Sequence, residues 1–228
     1  LEPKHKKLYD LVLQRERKKV LGMVGDLDKH RMTVFRSLTL LRMLALSPQI
    51  VSDDYADVPS SKLEALFSGL DEVLGDGHRI IVFSQFTSCL RLVAERLKTA
   101  GVDYAYLDGS TRNRGEVIDG FRSGTAPVFL ISLKAGGFGL TLTEADYVFL
   151  LDPWWNPAAE AQAIDRTHRI GQTENVMVYR LVAAGTIEEK VLALQQRKAA
   201  LFSSLTDEDS AFSQSITADD LRELFSGS

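Results

Sequence analysis

Short apolar runs alternate with helical periodicities along the middle of the chain. Five runs of five to seven mainly apolar residues predict strands at 79–84, 104–108, 127–132, 147–152 and 176–182. Helical patterns fill the intervals between the earlier strands, for example up to Gly101 and around 112–122. Strands that alternate with helices form a parallel sheet with helices on both faces, so we predict an α/β fold.

Helical patterns also precede this region. Residues 3–21 and 27–46 alternate polar and apolar positions at helical spacing, and Pro48 ends the second pattern. The acidic, turn-rich stretch 52–60 predicts a linker. The order Ser61-Lys-Leu-Glu64 has the spacing of a capping box and predicts a helix through Leu74.

Two further capping boxes follow the last strand. Thr186-Ile-Glu-Glu189 predicts the start of a long helix that ends near Phe202. Thr217-Ala-Asp-Asp220 predicts a short helix within an acidic tail, and we expect that helix to remain solvated.

Composition and charge narrow the protein class without identifying a function. The 228 residues are 45% hydrophobic and 25% charged, which is ordinary for a globular protein, and no run is long enough to cross a membrane. Cys89 is the single cysteine, which predicts a small apolar side chain on a helix in a reducing compartment. The net charge is −4, but residues 1–51 carry an excess of six positive charges, which can attract a polyanion.

Candidate chemistry lies at the carboxyl ends of the predicted strands, where α/β sheets bind ligands. Those ends read "SQFT", "LDGST", "SLKAGGFG" and "LDPWWNP". The glycines of "SLKAGGFG", which lie beside Lys134, favour close approach of an anion to the backbone. The alternative is a plain tight turn. In the fourth, we expect at least one of Trp154 and Trp155 to be buried.

The stretch "QAIDRTHRIGQ" raises the possibility of an anion clamp. A helix from Pro157 would place Gln162, Arg166 and Arg169 on one face, where two guanidinium groups suit phosphate oxygens. The alternative is a solvated helix on which Asp165 or Glu160 pairs with these arginines. No Gly-Lys dipeptide occurs in the sequence, so the phosphate-binding loop of an ATPase is missing.

The order of these motifs resembles the second RecA-like lobe of SWI/SNF-type ATPases, the remodeller-like branch of superfamily-two helicases, in its bacterial or archaeal form. "RIIVFSQFT", "LDGST", "ISLKAGGFGLTLTEADYVFLLDPWWNP" and "EAQAIDRTHRIGQT" carry the resemblance. It implies a RecA-like lobe with a helical protrusion before it and a brace helix after it. The implied divisions are a protrusion at 1–51, a linker at 52–60, the lobe at 61–185, the brace at 186–204 and the acidic tail at 205–228.

The resemblance also implies roles for individual residues. Those matching the motif that reaches the γ-phosphate of ATP are Gln162, Arg166 and Arg169. Those matching the motif that couples the nucleotide and DNA sites are Gly137, Gly139 and Asp165. Those matching the DNA-contacting motifs are Ser84, Gln85, Gly109, Ser110, Thr111, Ser132, Lys134, Gly136, Trp155 and Asn156.

The function implied is that of the second motor lobe of an ATP-dependent translocase on double-stranded DNA. ATP and Mg²⁺ would be held mainly by a first lobe that this chain lacks, and no metal ligands are expected here. The implied partners are duplex DNA, that first lobe and a DNA-bound protein client, with no membrane. We expect a cytoplasmic, nucleoid-associated location if the source is prokaryotic.

Three other functions stay open from the residues. The chain could be a non-catalytic module that docks DNA or a protein, with purely structural arginines. It could be the lobe of an RNA helicase, although the form "DRTHRIGQ" disfavours this. It could be a free-standing enzyme acting on a small phosphorylated metabolite, although no nucleophile–base pair supports that reading.

Overall fold

The computed structural model describes residues 1–132, 144–154, 160, 161, 164, 176–202 and 215–226. The chain divides into two compact units, each built from separate stretches of sequence. The helical unit comprises 1–62, 153–158 and 182–228, and the sheet unit comprises 63–152 and 159–181. The first and last segments of the sequence therefore belong to one unit, whereas the predicted divisions follow one another along the chain.

The sheet unit contains a parallel sheet of five strands, as predicted. The strands are β1 (Ile80–Ser84), β2 (Tyr104–Leu107), β3 (Val128–Ser132), β4 (Tyr147–Leu150) and β5 (Met177–Arg180). Their order across the sheet is β2-β3-β1-β4-β5, and every pairing is parallel. All residues of the neighbouring strands β1 and β3 are buried, which explains their continuous apolar sequences.

Three helices precede the first three strands. They are α3 (Ser61–Gly75), α4 (Thr87–Thr99) and α5 (Arg114–Arg122). Gly101 follows α4 with φ +69°, a left-handed conformation that glycine adopts without steric cost, so the predicted helix end is confirmed. Cys89 is a free thiol buried on α4, where it packs as a small apolar side chain.

The helical unit is built from α1 (Pro3–Leu21), α2 (Leu27–Leu46), α6 (Ile187–Phe202) and α7 (Ala218–Leu224). Its core combines side chains from all four helices, including Tyr9, Leu41 and Val191. Leu221 of α7 and the adjoining Phe225 are also buried in that core. The expectation of a solvated terminal helix is therefore wrong, because α7 contributes an apolar face to the unit.

The capping predictions have different outcomes. Thr217 and Asp220 form a complete capping box at α7, as predicted. At α6, the Thr186 hydroxyl accepts from the Glu188 amide at 3.2 Å, and the Glu189 carboxylate accepts from the Gly185 amide at 2.7 Å. Both residues therefore cap the start of the helix, but each bonds an amide one position away from the one that a capping box predicts.

The side chains at the start of α3 make other contacts than those predicted. The Ser61 hydroxyl accepts from the Glu2 amide at 2.8 Å. The Glu64 carboxylate accepts from both terminal nitrogens of Arg96, at 2.6 and 3.2 Å. The helix begins where the sequence predicts, but Glu64 is used for an ion pair on α4.

The described ranges contain neither a membrane-spanning helix nor a metal-binding cluster of side chains. No helix there combines the length and the apolar character needed to cross a membrane. The same residues include no group of three or more His, Cys, Asp or Glu that could hold a metal ion.

Candidate nucleotide and nucleic-acid interface

The carboxyl edge of the sheet brings several predicted residues together. Ser84 and Ser132 end β1 and β3 and are direct partners in the register of those strands. Asp108 follows β2 by one residue, and Asp152 follows β4 by two. Parallel strands end at the same edge, so the "SQFT", "LDGST" and "LDPWW" segments all begin there.

Asp152 organises the loop between β1 and α4. Its carboxylate accepts from the Ser84 hydroxyl at 2.5 Å and from the Gln85 amide at 3.2 and 3.3 Å. The Ser84 hydroxyl also accepts from the Phe86 amide at 3.0 Å. Both Asp152 and Ser84 are fully buried, so this network fixes the backbone from which Gln85 projects.

The burial of the two strand-end serines bears on their predicted DNA contacts. The Ser84 hydroxyl is directed to Asp152 and not to solvent, so in this conformation Ser84 shapes the loop. Ser132 is also buried, and its hydroxyl has no hydrogen-bond partner within the described ranges. Gln85 directly follows β1 and is half-buried.

Asp108 organises the second loop in a similar way. Its carboxylate accepts from the Ser110 amide at 2.8 Å and the Ser110 hydroxyl at 2.6 Å, and its own amide donates to the Thr111 hydroxyl at 3.0 Å. The hydrogen bond from the Ser110 side chain is the main reason that the pKa of Asp108 is lowered. Asp108 is buried, whereas Gly109 and Ser110 are exposed. The turn therefore presents neutral groups and hides its carboxylate.

Gly109 has no internal packing reason to be a glycine. A Cβ atom added there meets nothing within 4 Å, and its φ does not lie in the left-handed region. Gly69 differs, because a Cβ there would lie 3.2 Å from the Phe149 ring. A small residue at position 109 leaves the backbone of the turn accessible to a group from outside the chain.

The remaining predicted site residues lie outside the described residues. They are Lys134, Gly136, Gly137, Gly139, Trp155, Asn156, Gln162, Asp165, Arg166 and Arg169. One observation nearby concerns Glu160, which the sequence analysis considers as a partner of the two arginines. Glu160 is buried and pairs with Arg180 of β5, whose Nε lies 2.8 Å from Oε1.

The segment after Asp152 shows a contact that the sequence analysis does not identify. Arg42 of α2 is 1% exposed, and its guanidinium donates to the Pro153 carbonyl at 2.5 Å. Trp154 is buried, which confirms that at least one of the two tryptophans is in the interior. The sequence contains a signal for this contact, because Arg42 lies among the apolar positions of α2. A buried arginine at such a position needs a hydrogen-bond acceptor.

Comparisons with known proteins agree with this architecture. The profile of the helicase conserved C-terminal domain matches residues 61–171. Protein CHROMATIN REMODELING 24 of Arabidopsis thaliana is 36% identical over 223 residues, covering 95% of this chain and 20% of that protein. The ATP-dependent helicase rhp16 of Schizosaccharomyces pombe is 42% identical over 176 residues, covering 73% of this chain and 20% of that protein.

The structural comparison covers the whole chain. The SWI2/SNF2 ATPase core of Sulfolobus solfataricus, solved in complex with double-stranded DNA, matches with a TM-score of 0.79 at 27% identity. That match covers 100% of this chain and 48% of the Sulfolobus chain. This chain spans about a fifth of the length of CHROMATIN REMODELING 24 and of rhp16. By its conserved domain, its relatives and its fold, the chain belongs to the SNF2 family and is a RecA-like C-terminal lobe of that family's helicase-like ATPases.

Proposed function

We propose that this chain is the second motor lobe of an ATP-dependent translocase that moves on double-stranded DNA. The observation that carries the proposal is the carboxyl edge, where buried Asp108 and Asp152 organise loops that expose neutral groups. The Sulfolobus core was solved with double-stranded DNA, which supports duplex DNA as a ligand. The relative rhp16 is an ATP-dependent helicase, which supports the use of ATP. We place the protein in the cytoplasm, associated with the nucleoid, if its source is prokaryotic.

The DNA contacts in this proposal are made to phosphates. The exposed turn at Gly109 and Ser110 offers the Gly109 backbone amide as a donor, and the half-buried side chain of Gln85 adds a second amide group. A backbone amide contacts phosphate without reading a base. By the resemblance of their motifs, Lys134, Gly136, Trp155 and Asn156 would also contact DNA. Contacts of this type make binding tolerant of sequence and strongly dependent on salt.

The contribution to ATP hydrolysis comes from the "DRTHRIGQ" segment. Arg166 and Arg169, with Gln162, would reach the γ-phosphate of ATP held on the first lobe when the lobes close. Arginine fingers accelerate phosphoryl transfer by about 10³–10⁵. We assign Mg²⁺ to the first lobe together with ATP, so the isolated chain should bind DNA weakly and hydrolyse no ATP.

The DNA assignment is tested with Gly109→Ala in the full-length protein. The added methyl group meets no atom of the chain, so folding should be unchanged, but it occupies space that a phosphate needs. We expect a loss of about tenfold in duplex affinity, or about 1.4 kcal/mol, with a parallel loss of DNA-stimulated ATP hydrolysis. Gly75→Ala is the matched control, because a Cβ there is equally unobstructed. Equal affinities of the two variants would refute the contact at this turn.

Arg169→Ala in the same assays separates a motor lobe from a docking module. A motor lobe should lose DNA-stimulated turnover while retaining ATP and DNA binding. Unchanged turnover would favour the docking alternative, in which the arginines are structural. A stronger response to single-stranded RNA than to duplex DNA would favour the RNA helicase alternative.

A further inference from the structure

Helix α1 carries a large excess of positive charge. It holds seven lysines and arginines against Asp10 and Glu16. Both oxygens of Asp10 accept from Lys6 at 2.6 Å, and the buried Glu16 is bonded by Arg15 and Lys19. Across the described part of the chain, the other cations of α1 have no carboxylate partner: Lys4, Lys7, Arg17 and Lys18.

A cavity of about 340 Å³ lies within the helical unit, between α1, the start of α6 and the residues after α7. Its polar wall includes Lys6, Asp10, Arg17 and Lys190, and its apolar wall includes Leu13 and Phe225. We call it the α1 pocket and define it by Lys6, Arg17 and Lys190. Among the residues that the structure describes, Lys6 is paired with an acid, Asp10, whereas Arg17 and Lys190 have no such pair.

The two other cations in the α1 pocket repel each other. The Lys190 ammonium donates to the carbonyl and hydroxyl oxygens of Ser226, which are neutral acceptors. Burial and, next, the charge of Arg17 lower the pKa of Lys190, and the charge of Glu223 partly opposes this shift. Within the described residues, no carboxylate lies within ion-pair distance of Arg17 or Lys190. An anion seated between them would convert this repulsion into attraction.

We propose that the α1 pocket binds a phosphate group of duplex DNA and that the outer face of α1 contacts the neighbouring phosphates. Four exposed cations, Lys4, Lys7, Arg15 and Lys18, recur on that face at helical spacing. A row of cations follows a polyanion without reading its bases, which favours DNA over a compact anion. The inference is independent of the ATPase function proposed above, since it concerns the helical unit and requires no nucleotide.

The experiment measures binding of the 228-residue chain to a short fluorescein-labelled duplex over a range of salt concentrations. The test variant is Arg17→Gln with Lys190→Gln. The control is Lys29→Gln with Lys98→Gln, which removes the same charge from exposed positions outside the pocket. We expect the slope of log affinity against log salt to fall by about one for each cation removed from the pocket, and to stay unchanged in the control.

Hydrogen exchange locates the contact on the chain. The duplex should protect α1 amides in the wild type and in the Gly109→Ala variant, but not in the pocket variant. This pattern would hold even if the turn at Gly109 makes no DNA contact. Equal losses in the pocket and control variants would overturn the proposal, because they would reflect net charge alone. Tighter binding of polyglutamate than of duplex, lost in the pocket variant, would also overturn it and identify an acidic protein segment, which could use the exposed Leu11.

Discussion

The ion pair between Lys62 and Glu188 should be a major determinant of the stability of the helical unit. The ammonium lies 2.6 Å from the carboxylate, and the two side chains are 4% and 0% exposed. Glu188 also accepts from the Ala183 amide at 2.8 Å. Each residue lies in the first turn of its helix, where the helix dipole favours the acid and disfavours the lysine. Their contact offsets the unfavourable position of Lys62.

The expected magnitude follows from this burial. Lys62→Met leaves the Glu188 charge without its ion-pair partner, and Glu188→Gln does the same to Lys62 while retaining an acceptor for Ala183. Breaking a buried pair on one side costs about 3–5 kcal/mol. The double variant removes both charges and should cost less than either single variant, which gives a coupling energy of about 2 kcal/mol or more.

Urea unfolding followed by far-UV circular dichroism measures these free energies. The control cycle uses Arg96→Gln and Glu64→Gln, an equally short pair whose side chains are 45% and 57% exposed. We expect its coupling to stay below about 1 kcal/mol because solvent screens exposed pairs. Additive losses in the Lys62–Glu188 cycle, or single losses below about 1 kcal/mol, would refute the reasoning.

Two further predictions concern the same unit. Phe225→Ala should lower the free energy of unfolding by about 3–5 kcal/mol, because Phe225 is 1% exposed in the core of the helical unit. A loss near zero in urea unfolding would show that the tail does not pack in that core in solution. Burial lowers the pKa of His5, whose Nε2–H donates to the Leu44 carbonyl at 2.7 Å. As the pH falls below 6.5, the imidazole therefore becomes protonated in the unfolded chain before it does so in the folded one. Relative to His5→Gln, the wild type should therefore lose stability as the pH falls from 6.5 towards the lowered pKa of His5, by up to about 1.4 kcal/mol per pH unit. Parallel pH profiles would contradict this.

The strands and most helix ends could be predicted because their signals are local. Each strand is an apolar run between turn residues, and Gly101 and the Thr186 and Thr217 caps mark helix ends within a few residues. The burial of α7 was missed although Leu221, Leu224 and Phe225 have helical spacing. The acidic composition of the tail favours a solvated helix, and three apolar positions are too short a pattern to predict burial against it.

The contacts that shape the site are distant in sequence and could not be predicted in the same way. Ser84 and Asp152 are 68 positions apart, and Arg42 and Pro153 are 111 apart. They meet because β4 pairs with β1 in a particular register and because α2 packs in the same unit as Pro153. Apolar patterns predict which residues form strands, but they do not specify which strands are neighbours.

The two buried aspartates explain how an edge with acidic sequence motifs can accept an anion. Exposed carboxylates beside a phosphate would repel it, and the motifs "LDGST" and "LDPWW" each place an acid at the carboxyl edge. In the structure, Asp108 and Asp152 are 5% and 0% exposed. Asp108 accepts from the amide and hydroxyl of Ser110 in its own turn, and Asp152 accepts from Ser84 and Gln85 in the loop between β1 and α4. These acids therefore hold the loops in place, while Gly109 and Ser110 are exposed and Gln85 is half-buried. Replacing either aspartate would disturb the presentation of these groups even though neither carboxylate contacts the ligand in this scheme.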